Sequence, residues 1–274
     1  MNLNGWSGNF PSHKEGYLYT MNFTKAIVRT PCKRIAEGLS SADLGKADYA
    51  LALEQHRKYV TALENLGLEV HILSADNDHP DSTFVEDIAL LTPEVAVITN
   101  PGAKSRKGEI KSIQGVIEGF YKNVSFIHPP GTLEAGDVMM VGNHYYIGLS
   151  ERTNEDGAAQ LIKILEHYGM TGSVIGIGKM LHLKSGVSYL ENNLLLAVDH
   201  FDSHPDLSHL DIITVPDHES YAANSLWIND TVLVPQGYPE TLENLISAGF
   251  ETIVLDMSEF RKLDGGLSCL SLRF

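Results

Sequence analysis

The chain has 274 residues, of which 43% are hydrophobic and 20% are charged, and its formal net charge at pH 7 is −15. This composition is typical of a globular protein with one large domain or two small ones. The acidic charge argues against a nucleic-acid partner and favours the approach of a cationic small molecule, although a general contribution to solubility explains the charge equally well.

Features that the sequence lacks indicate where in the cell the protein is expected. No apolar run reaches the length of a membrane span, and residues 1–20 have neither the basic start nor the cleavage site of a secretion signal. Two cysteines without paired spacing give no disulfide framework, so we expect a reducing, cytoplasmic compartment and no membrane partner. We interpret residues 1–20 as a loosely structured N-terminal extension and residues 21–274 as a single domain.

Short strands and amphipathic helices follow one another in a recurring order. Each hairpin of two apolar strands leads into a helix and then into one more strand. The predicted hairpins span 84–98, 137–148, 187–198 and 225–234. The predicted helices carry Leu53, Val60 and Leu63; Ile110, Ile113, Ile117 and Phe120; Ala158, Leu161, Leu165 and Tyr168; and Leu242, Leu245 and Ile246. Strands predicted after helices include 68–73, 173–177 and 251–255.

One copy and the chain ends complete the pattern. Residues 199–209 are short and polar, so no helix is predicted there before a strand at 211–215. A strand at 25–29 precedes the first helix, and a final strand at 267–272 is expected to pair with it, which would close a ring and remove exposed strand edges. The sequence therefore predicts an α/β ring of five hairpin-helix-strand units. The alternative, a doubly wound parallel sheet, would show single strands between helices instead of hairpins.

A polar residue stands near the start of the hairpin in every unit. The steps along the chain from Glu86 to Glu134, His182, Asn224 and Cys269 are 48, 48, 42 and 45 residues. Equivalent ends of successive units converge on the axis of a ring, so these side chains are expected to meet there. Taken singly, Glu134 also fits a buried acid, His182 a core histidine and Asn224 a turn former, and we keep the structural interpretation for Asn224.

Cys269 is the candidate nucleophile among these residues. It follows Gly265 and Gly266, which permit close backbone approach and positive φ, and it is expected on an alternating strand at 267–272. A thiolate attacks a carbon electrophile, a histidine moves protons, and a carboxylate orients or polarises the histidine. For Cys269 alone, the alternative is a buried structural cysteine.

Five short motifs contain the candidate residues and are specific in combination. They read Phe84-Val-Glu-Asp87, Pro130-Gly-Thr-Leu-Glu-Ala-Gly-Asp137, Leu181-His-Leu-Lys-Ser185, Glu219-Ser-Tyr-Ala-Ala-Asn224 and Asp264-Gly-Gly-Leu-Ser-Cys-Leu-Ser271. In these motifs the chain resembles the dimethylarginine dimethylaminohydrolase family, in its bacterial form, over residues 21–274. The resemblance implies a fivefold pseudosymmetric α/β propeller, or pentein, and hydrolysis of Nω-methylated arginines to citrulline and a methylamine.

The resemblance implies a catalytic role for three residues. Cys269 would attack the guanidinium carbon and expel dimethylamine, leaving a covalent thiouronium that water hydrolyses. His182 would protonate the departing amine and then activate the water, and Glu134 would stabilise positive charge on the guanidinium and on His182. Because an ordinary cysteine is mostly thiol at neutral pH, positive charge from the substrate or from His182 must favour the thiolate.

The resemblance also implies which residues bind the rest of a guanidino amino acid. Arg106 and Arg152 match clamps for its carboxylate, for which paired guanidinium donors are suited. Asp81, helped by carbonyl groups around Leu39 and Leu263, matches a site for its amine.

Two acids and a loop complete the implied binding site. Glu86 and Asp87 match the guanidinium end, where Asp87 would hold the nitrogens. Residues 39–45 match a loop that closes over the pocket and excludes water. Without the resemblance, both arginines are ordinary surface charges and Asp87 is an aspartate at the start of a strand.

We expect a small-molecule substrate, no cofactor and no metal. His200, His204 and His209, with Asp199 and Asp202, are interpreted as a solvated loop and not as metal ligands. Because the faces of repeat rings often dimerise, a homodimer is the assembly we would expect if the chain associates.

Other functions stay open at this point. An arginine deiminase or another guanidino hydrolase or amidinotransferase would share the fold and the reactive residues. A non-catalytic binding propeller, such as a ribosome anti-association factor, would lack the thiol, histidine or carboxylate, and this chain has all three. A metal-dependent hydrolase would lose activity with a chelator, which we do not expect here.

Overall fold

The computed structural model describes residues 21–274, whose strands form five three-stranded sheets. The predicted extension over residues 1–20 lies outside the described residues. In every sheet the middle strand pairs antiparallel with one neighbour and parallel with the other. In four of the five sheets a short turn joins the antiparallel neighbours; in the fifth, these neighbours are the first and last described strands. Parallel neighbours need a longer crossover, and in four of the five units a helix supplies it.

The elements have the following bounds. The strands are β1 (Lys25–Arg29), β2 (Glu69–Leu73), β3 (Ala89–Leu91), β4 (Ala96–Ile98), β5 (Val124–Phe126), β6 (Val138–Val141), β7 (His144–Leu149), β8 (Thr171–Gly176), β9 (Val187–Tyr189), β10 (Leu194–Val198), β11 (Asp211–Val215), β12 (Leu226–Ile228), β13 (Thr231–Pro235), β14 (Glu251–Leu255) and β15 (Ser271–Arg273). The helices are α1 (Tyr49–Asn65), α2 (Ile110–Phe120), α3 (Glu155–His167), α4 (Pro239–Ser247) and α5 (Ser258–Arg261). The sheets have the orders β15-β1-β2, β3-β4-β5, β6-β7-β8, β9-β10-β11 and β12-β13-β14.

The first unit is split between the two ends of the described chain. Residues 26–28 of β1 pair antiparallel with residues 271–273 of β15, so the predicted closure is confirmed. Helix α1 secures this junction, because the buried hydroxyl of Tyr59 donates to the Leu267 carbonyl at 3.0 Å and lies 2.6 Å from the Ser271 hydroxyl. Closure therefore fixes the backbone on both sides of Cys269.

Short 3-10 turns lie next to one another around the axis, each before the inner strand of a unit. The turn at Val85–Ile88 contacts those at Ser268–Leu270 and Ala135–Asp137; the latter contacts Leu183–Ser185, which in turn contacts Asp217–Ala223. The Asn224 side chain completes the circle by accepting the Ser268 N–H at 3.0 Å. The predicted fivefold α/β ring is thus confirmed.

Two predicted strands begin later than the sequence pattern indicates. Only Ala89–Leu91 of the segment 84–91 is extended, and only Ser271–Arg273 at the final strand, so Cys269 lies on a turn and the alternating strand is wrong there. The reason is local, since the Ser268 N–H is bonded to a side chain and is not available to a strand ladder.

Gly265 and Gly266 are required by crowding and not by their own φ. A Cβ on Gly265 would lie 2.2 Å from the Phe84 ring, and one on Gly266 would lie 2.4 Å from the Asn224 side chain. The predicted close approach is confirmed, but the positive φ falls on the preceding Asp264, at 57°.

The four longer helices pack against the sheets, and apolar clusters join neighbouring units. Helix α2 buries Ile113 and Ile117 as its periodicity predicts, while Phe120 remains 39% exposed. The unit of β9 to β11 has two short 3-10 turns in place of a helix, in agreement with its polar sequence. Among residues 21–274, no helix combines the length and apolar character that crossing a membrane requires.

Candidate active site

The ring of turns brings the predicted polar residues to one end of the axis. Glu86, His182, Asn224 and Cys269 line one small cavity of about 50 Å³. His182 in turn contacts Glu134 behind it. Residues separated by more than a hundred positions in the chain therefore form one site.

Cys269 forms part of the wall of this cavity and is partly exposed. Its Sγ accepts the Gly266 N–H at 3.4 Å. Burial, together with the negative charges of Asp87 and Glu86, raises the pKa of the Cys269 thiol from 9.0 to about 12. The resting group is therefore a neutral thiol at physiological pH.

His182 and Glu134 form a buried ion pair. Nε2 of His182 lies 2.9 Å from Oε2 of Glu134 and 4.0 Å from Oδ1 of Asp87. Burial alone would lower the pKa of His182, but the charges of Asp87, Glu134 and Asp137 outweigh it and raise this pKa to about 9. Burial would also raise the pKa of Glu134, yet its hydrogen bond to His182 and the charges of His182 and Arg106 lower it to about 2. His182 is thus an imidazolium at neutral pH.

Asp137 holds the turn that carries His182, a role that the sequence analysis did not assign. It is fully buried; Oδ1 accepts the Leu183 N–H at 3.0 Å and Oδ2 accepts the Ser150 hydroxyl at 2.7 Å. Because Leu183 directly follows His182, these bonds fix the backbone beside the imidazole. The sequence did contain one indication of this role, an aspartate at the start of an apolar segment. An acid that is fully buried is almost always paired with a hydrogen-bond or charge partner.

Asp87 offers one carboxylate oxygen without a partner. Oδ2 accepts from Nη1 of Arg106, while Oδ1 is buried and finds no hydrogen-bond donor within residues 21–274. Gly136 leaves room beside it, since a Cβ there would lie 2.6 Å from Oδ1. A buried acceptor left unpaired costs about 1–3 kcal/mol, so this oxygen is suited to a donor on a ligand.

Arg106 is buried and largely engaged with protein groups. Its Nε and Nη2 donate to Glu109 at 3.0 and 2.8 Å, and Nη2 also donates to the Phe84 carbonyl at 2.8 Å. Nη1 makes its one bond within the described residues to Asp87. The main role of Arg106 in this geometry is to position Asp87, and one N–H of Nη1, without a partner among residues 21–274, can donate to a ligand.

Glu86 is the centre of a charged layer across the axis. Oε1 accepts from Lys184 at 2.6 Å and from Arg273 at 2.9 Å, and Oε2 accepts the Ser268 hydroxyl at 2.7 Å. Glu86 and Lys184 line both the cavity at Cys269 and a larger one of about 140 Å³ between the inner strands. Sequence reasoning missed Lys184, Ser268 and Arg273, because these types are common on surfaces.

The predicted amine-binding residues also lie together. The Leu39 N–H donates to Oδ1 of Asp81 at 2.9 Å. A Cβ on Gly38 would lie 2.6 Å from the same oxygen and 3.4 Å from Leu263 Cδ2.

The predicted carboxylate clamp Arg152 lies beside Glu134. Its Nη1 is 3.9 Å from Oε1 of Glu134, and its side chain is 23% exposed, so a ligand can reach it.

Two groups of acids and histidines among residues 21–274 come close enough to share a metal ion. They are Asp87, Glu134 and His182, and His218, Glu219 and Glu240; neither includes the histidines of 200–209. In the first group, the raised pKa of His182 puts a proton on Nε2, which it donates to Glu134, and a metal would have to displace that proton. In the second, Glu219 accepts the Thr241 N–H at 2.7 Å, so its carboxylate is already in use.

Comparison with known proteins identifies relatives of this chain. The sequence model of the family described as "N,N dimethylarginine dimethylhydrolase, eukaryotic" matches residues 41–196. The N(G),N(G)-dimethylarginine dimethylaminohydrolase of Pseudomonas aeruginosa is 51% identical over 253 residues, which span 92% of this chain and 100% of that protein.

Solved structures extend the comparison to three dimensions. The Pseudomonas aeruginosa enzyme, as a cysteine-to-serine mutant with citrulline, superposes with a TM-score of 0.92 at 50% identity, covering 93% of this chain and 100% of that one. The N-terminal domain of ArgZ, an arginine dihydrolase from cyanobacteria, has a TM-score of 0.83 at 20% identity, covering 92% and 98%. The second likeness concerns the fold alone.

Replacing Glu134 by glutamine (Glu134→Gln) removes the charge paired with His182. We expect the pKa of His182 to fall from about 9 toward 6.5, measured by NMR titration of labelled histidine. Because the folded pKa lies above the unfolded value, this ionisation stabilises the fold below pH 6.5, and its contribution is lost as the pH rises through about 9. In the variant this contribution should be smaller, and its loss should be complete at a lower pH.

The control is Glu251→Gln, which removes an exposed acid on β14. It should leave the pKa of His182 unchanged. An unchanged value in Glu134→Gln as well would contradict the assignment of Glu134 as a principal partner of the imidazolium.

Proposed function

The chain belongs to the dimethylarginine dimethylaminohydrolase family, and from this premise we propose how its site works. The protein hydrolyses Nω,Nω-dimethyl-L-arginine and Nω-methyl-L-arginine to L-citrulline with release of dimethylamine or methylamine. Its substrate is a small guanidino amino acid, and we propose that residues 21–274 act as one catalytic domain.

The observation that best supports this function is the unpaired Oδ1 of Asp87. It is a buried acceptor 4.0 Å from His182, close to a cavity that holds a thiol. A guanidinium group supplies both N–H donors and a positive charge, and its electrophilic carbon would lie between the thiol and the imidazolium. A neutral amide would supply donors but would leave the extra negative charge of the Asp87–Arg106–Glu109 group uncompensated.

Substrate binding would activate the nucleophile. Burial and nearby acids hold the Cys269 thiol protonated, with its pKa at about 12. A bound guanidinium offsets the charges of Asp87 and Glu86, which lowers this pKa and releases the thiol proton to solvent. The thiolate therefore forms mainly where its target is already in place.

Chemistry then proceeds in two stages. The Cys269 thiolate forms a bond to the guanidinium carbon, and the C–N bond to the methylated nitrogen breaks as His182 donates its proton to that nitrogen. The amine leaves and a thiouronium remains. Neutral His182 next takes a proton from water as the water attacks the same carbon, and collapse of this adduct breaks the C–S bond and yields citrulline. Glu134 stabilises the imidazolium in both stages.

The remaining residues would position the amino acid end. Arg152, the more accessible arginine, would pair with the substrate carboxylate, with the free N–H of Arg106 as a second donor. Asp81 and the carbonyl groups of Leu39 and Leu263 would accept from its ammonium group. Glu86 would act at the guanidinium end through its charge, since its oxygens already have protein partners.

Both cysteines are free thiols, which supports a reducing compartment, and we propose the cytoplasm.

The direct test is to incubate the protein with dimethylarginine, monomethylarginine or arginine and to measure citrulline and the released amine. We expect turnover of the methylated substrates and loss of turnover in Cys269→Ala. Citrulline from arginine alone would indicate a deiminase instead, and no product from any of the three would contradict the proposal.

A second test isolates the unpaired oxygen. Asp87→Asn should lower kcat/KM for dimethylarginine by about 100-fold or more, because it replaces a charged acceptor at the reacting group with a neutral amide. Glu109→Gln is the matched control, since Glu109 is also buried against Arg106 but has no oxygen beside His182.

The two variants lose a comparable partner of Arg106 and should lose comparable stability. If Glu109→Gln lowered kcat/KM as strongly as Asp87→Asn, the effect would come from Arg106, and the role given to Oδ1 of Asp87 would be wrong.

A further inference from the structure

We propose that Asp264 is a positioning residue that latches the loop at 39–45 to the turn carrying Cys269. Closing of this loop, here called the lid, would thereby set the position of the nucleophile. The role in turnover rests on the proposed function, but the latch itself can be tested without it.

The lid is bonded to the segment before Cys269 from two consecutive serines. Oδ2 of Asp264 accepts both the backbone N–H of Ser41, at 2.5 Å, and its hydroxyl, at 3.0 Å. The hydroxyl of Ser40 donates to the Lys262 carbonyl at 2.7 Å. Bonds to a charged acceptor are stronger than neutral ones, so Asp264 is the principal attachment.

Polar contacts must hold the lid, because apolar burial does not. Leu39 and Leu44, its two large apolar side chains, are 41% and 46% exposed. Exposed apolar residues contribute little to closure. Removal of the contacts at Ser40, Ser41 and Asp264 should therefore release the lid.

Asp264 lies close to the nucleophile, both along the chain and in the cavity. It lines the cavity that contains Cys269 and adopts a φ of 57°, which aspartate tolerates better than most residues. Two residues later, the Gly266 N–H donates to Cys269 Sγ at 3.4 Å, and between them the Gly265 carbonyl accepts the Tyr221 hydroxyl at 2.7 Å. A shift of Asp264 would therefore change the hydrogen bond at the sulfur.

The other end of the lid meets the proposed amine site. The Leu39 N–H occupies Oδ1 of Asp81, the acid proposed to bind the substrate ammonium. The lid therefore joins the amine site to the nucleophile turn through Asp81 at one end and Asp264 in its middle. Binding of an amino acid at Asp81 would therefore change the position of Cys269 through the lid.

The test uses three variants and one matched control. Asp264→Gly removes the acceptor at a φ that glycine adopts freely, Asp264→Asn keeps an acceptor but removes the charge, and Ser40→Ala with Ser41→Ala removes both lid hydroxyls. The control is Asp43→Asn, which removes an exposed acid of the same lid and leaves the latch intact. Thermal unfolding of each variant verifies that the fold is retained.

The first readout is the rate at which iodoacetamide alkylates Cys269 in the absence of substrate, with peptide mapping to separate it from Cys32. We expect labelling about tenfold faster in Asp264→Gly, smaller increases in Asp264→Asn, which keeps a neutral acceptor, and in the serine variant, whose Ser41 N–H remains, and an unchanged rate in Asp43→Asn. Equal labelling in all proteins would overturn the latch. A rise in Asp264→Asn equal to that in Asp264→Gly would show that charge alone is responsible and would also overturn it.

The second readout is kinetic. Asp264→Gly should raise KM for dimethylarginine and lower kcat, because both the closed state and the position of the thiol depend on the latch, whereas Asp264→Asn should recover most of the loss. A purely structural role would change the unfolding temperature without this recovery. If the unmodified protein turns over no methylarginine, the proposed function fails, and the labelling rates still decide the latch.

Discussion

An imbalance of buried charge at the ring axis governs the chemistry of this site. Arg106 is shared by Asp87 and Glu109, and His182 is paired with Glu134, which leaves one oxygen of Asp87 unpaired beside the imidazolium. Burial, together with the charges of Asp87 and Glu86, raises the pKa of the Cys269 thiol and holds it protonated. The protein is therefore organised to receive a cation, and the cation that completes the charge balance also activates the nucleophile.

The fold makes this imbalance possible because it surrounds the axis with turns that contact one another. Each inner strand is preceded by a turn, and neighbouring turns contact one another, so polar residues at these turns come together near the axis. Pairing of β1 with β15 fixes the last of these turns. Glu86 connects the turns through Lys184, Ser268 and Arg273 and closes the floor of the cavity. Buried ion pairs hold the residues at the axis, whereas exposed hydrogen bonds hold the lid.

Repetition made much of this structure predictable from sequence. Hairpin, helix and strand recur with similar spacing, so the ring and the convergence of Glu86, Glu134, His182 and Cys269 follow from counting residues. The family motifs then gave the chemistry. Apolar alternation was misleading beside Cys269, because side-chain hydrogen bonds replace the strand ladder there.

Residues whose importance depends on partners distant in sequence could not be found in this way. Asp137 and Lys184 look like ordinary charges until the fold places them against Leu183 and Glu86. Arg106 was assigned to a ligand carboxylate, yet most of its donors are taken by protein acceptors. Periodicity shows which positions share a face, but it does not show which charges remain uncompensated.

The most direct measurement is the pKa of the Cys269 thiol, from thiolate absorbance against pH, with Cys269→Ser as the blank. It should be made on the free protein, with methylguanidinium, and with methylurea as a neutral molecule of nearly the same shape. We expect a value near 12 in the free protein, a clear decrease with methylguanidinium and none with methylurea. Equal values with both molecules, or a thiolate already present at neutral pH in the free protein, would contradict the account.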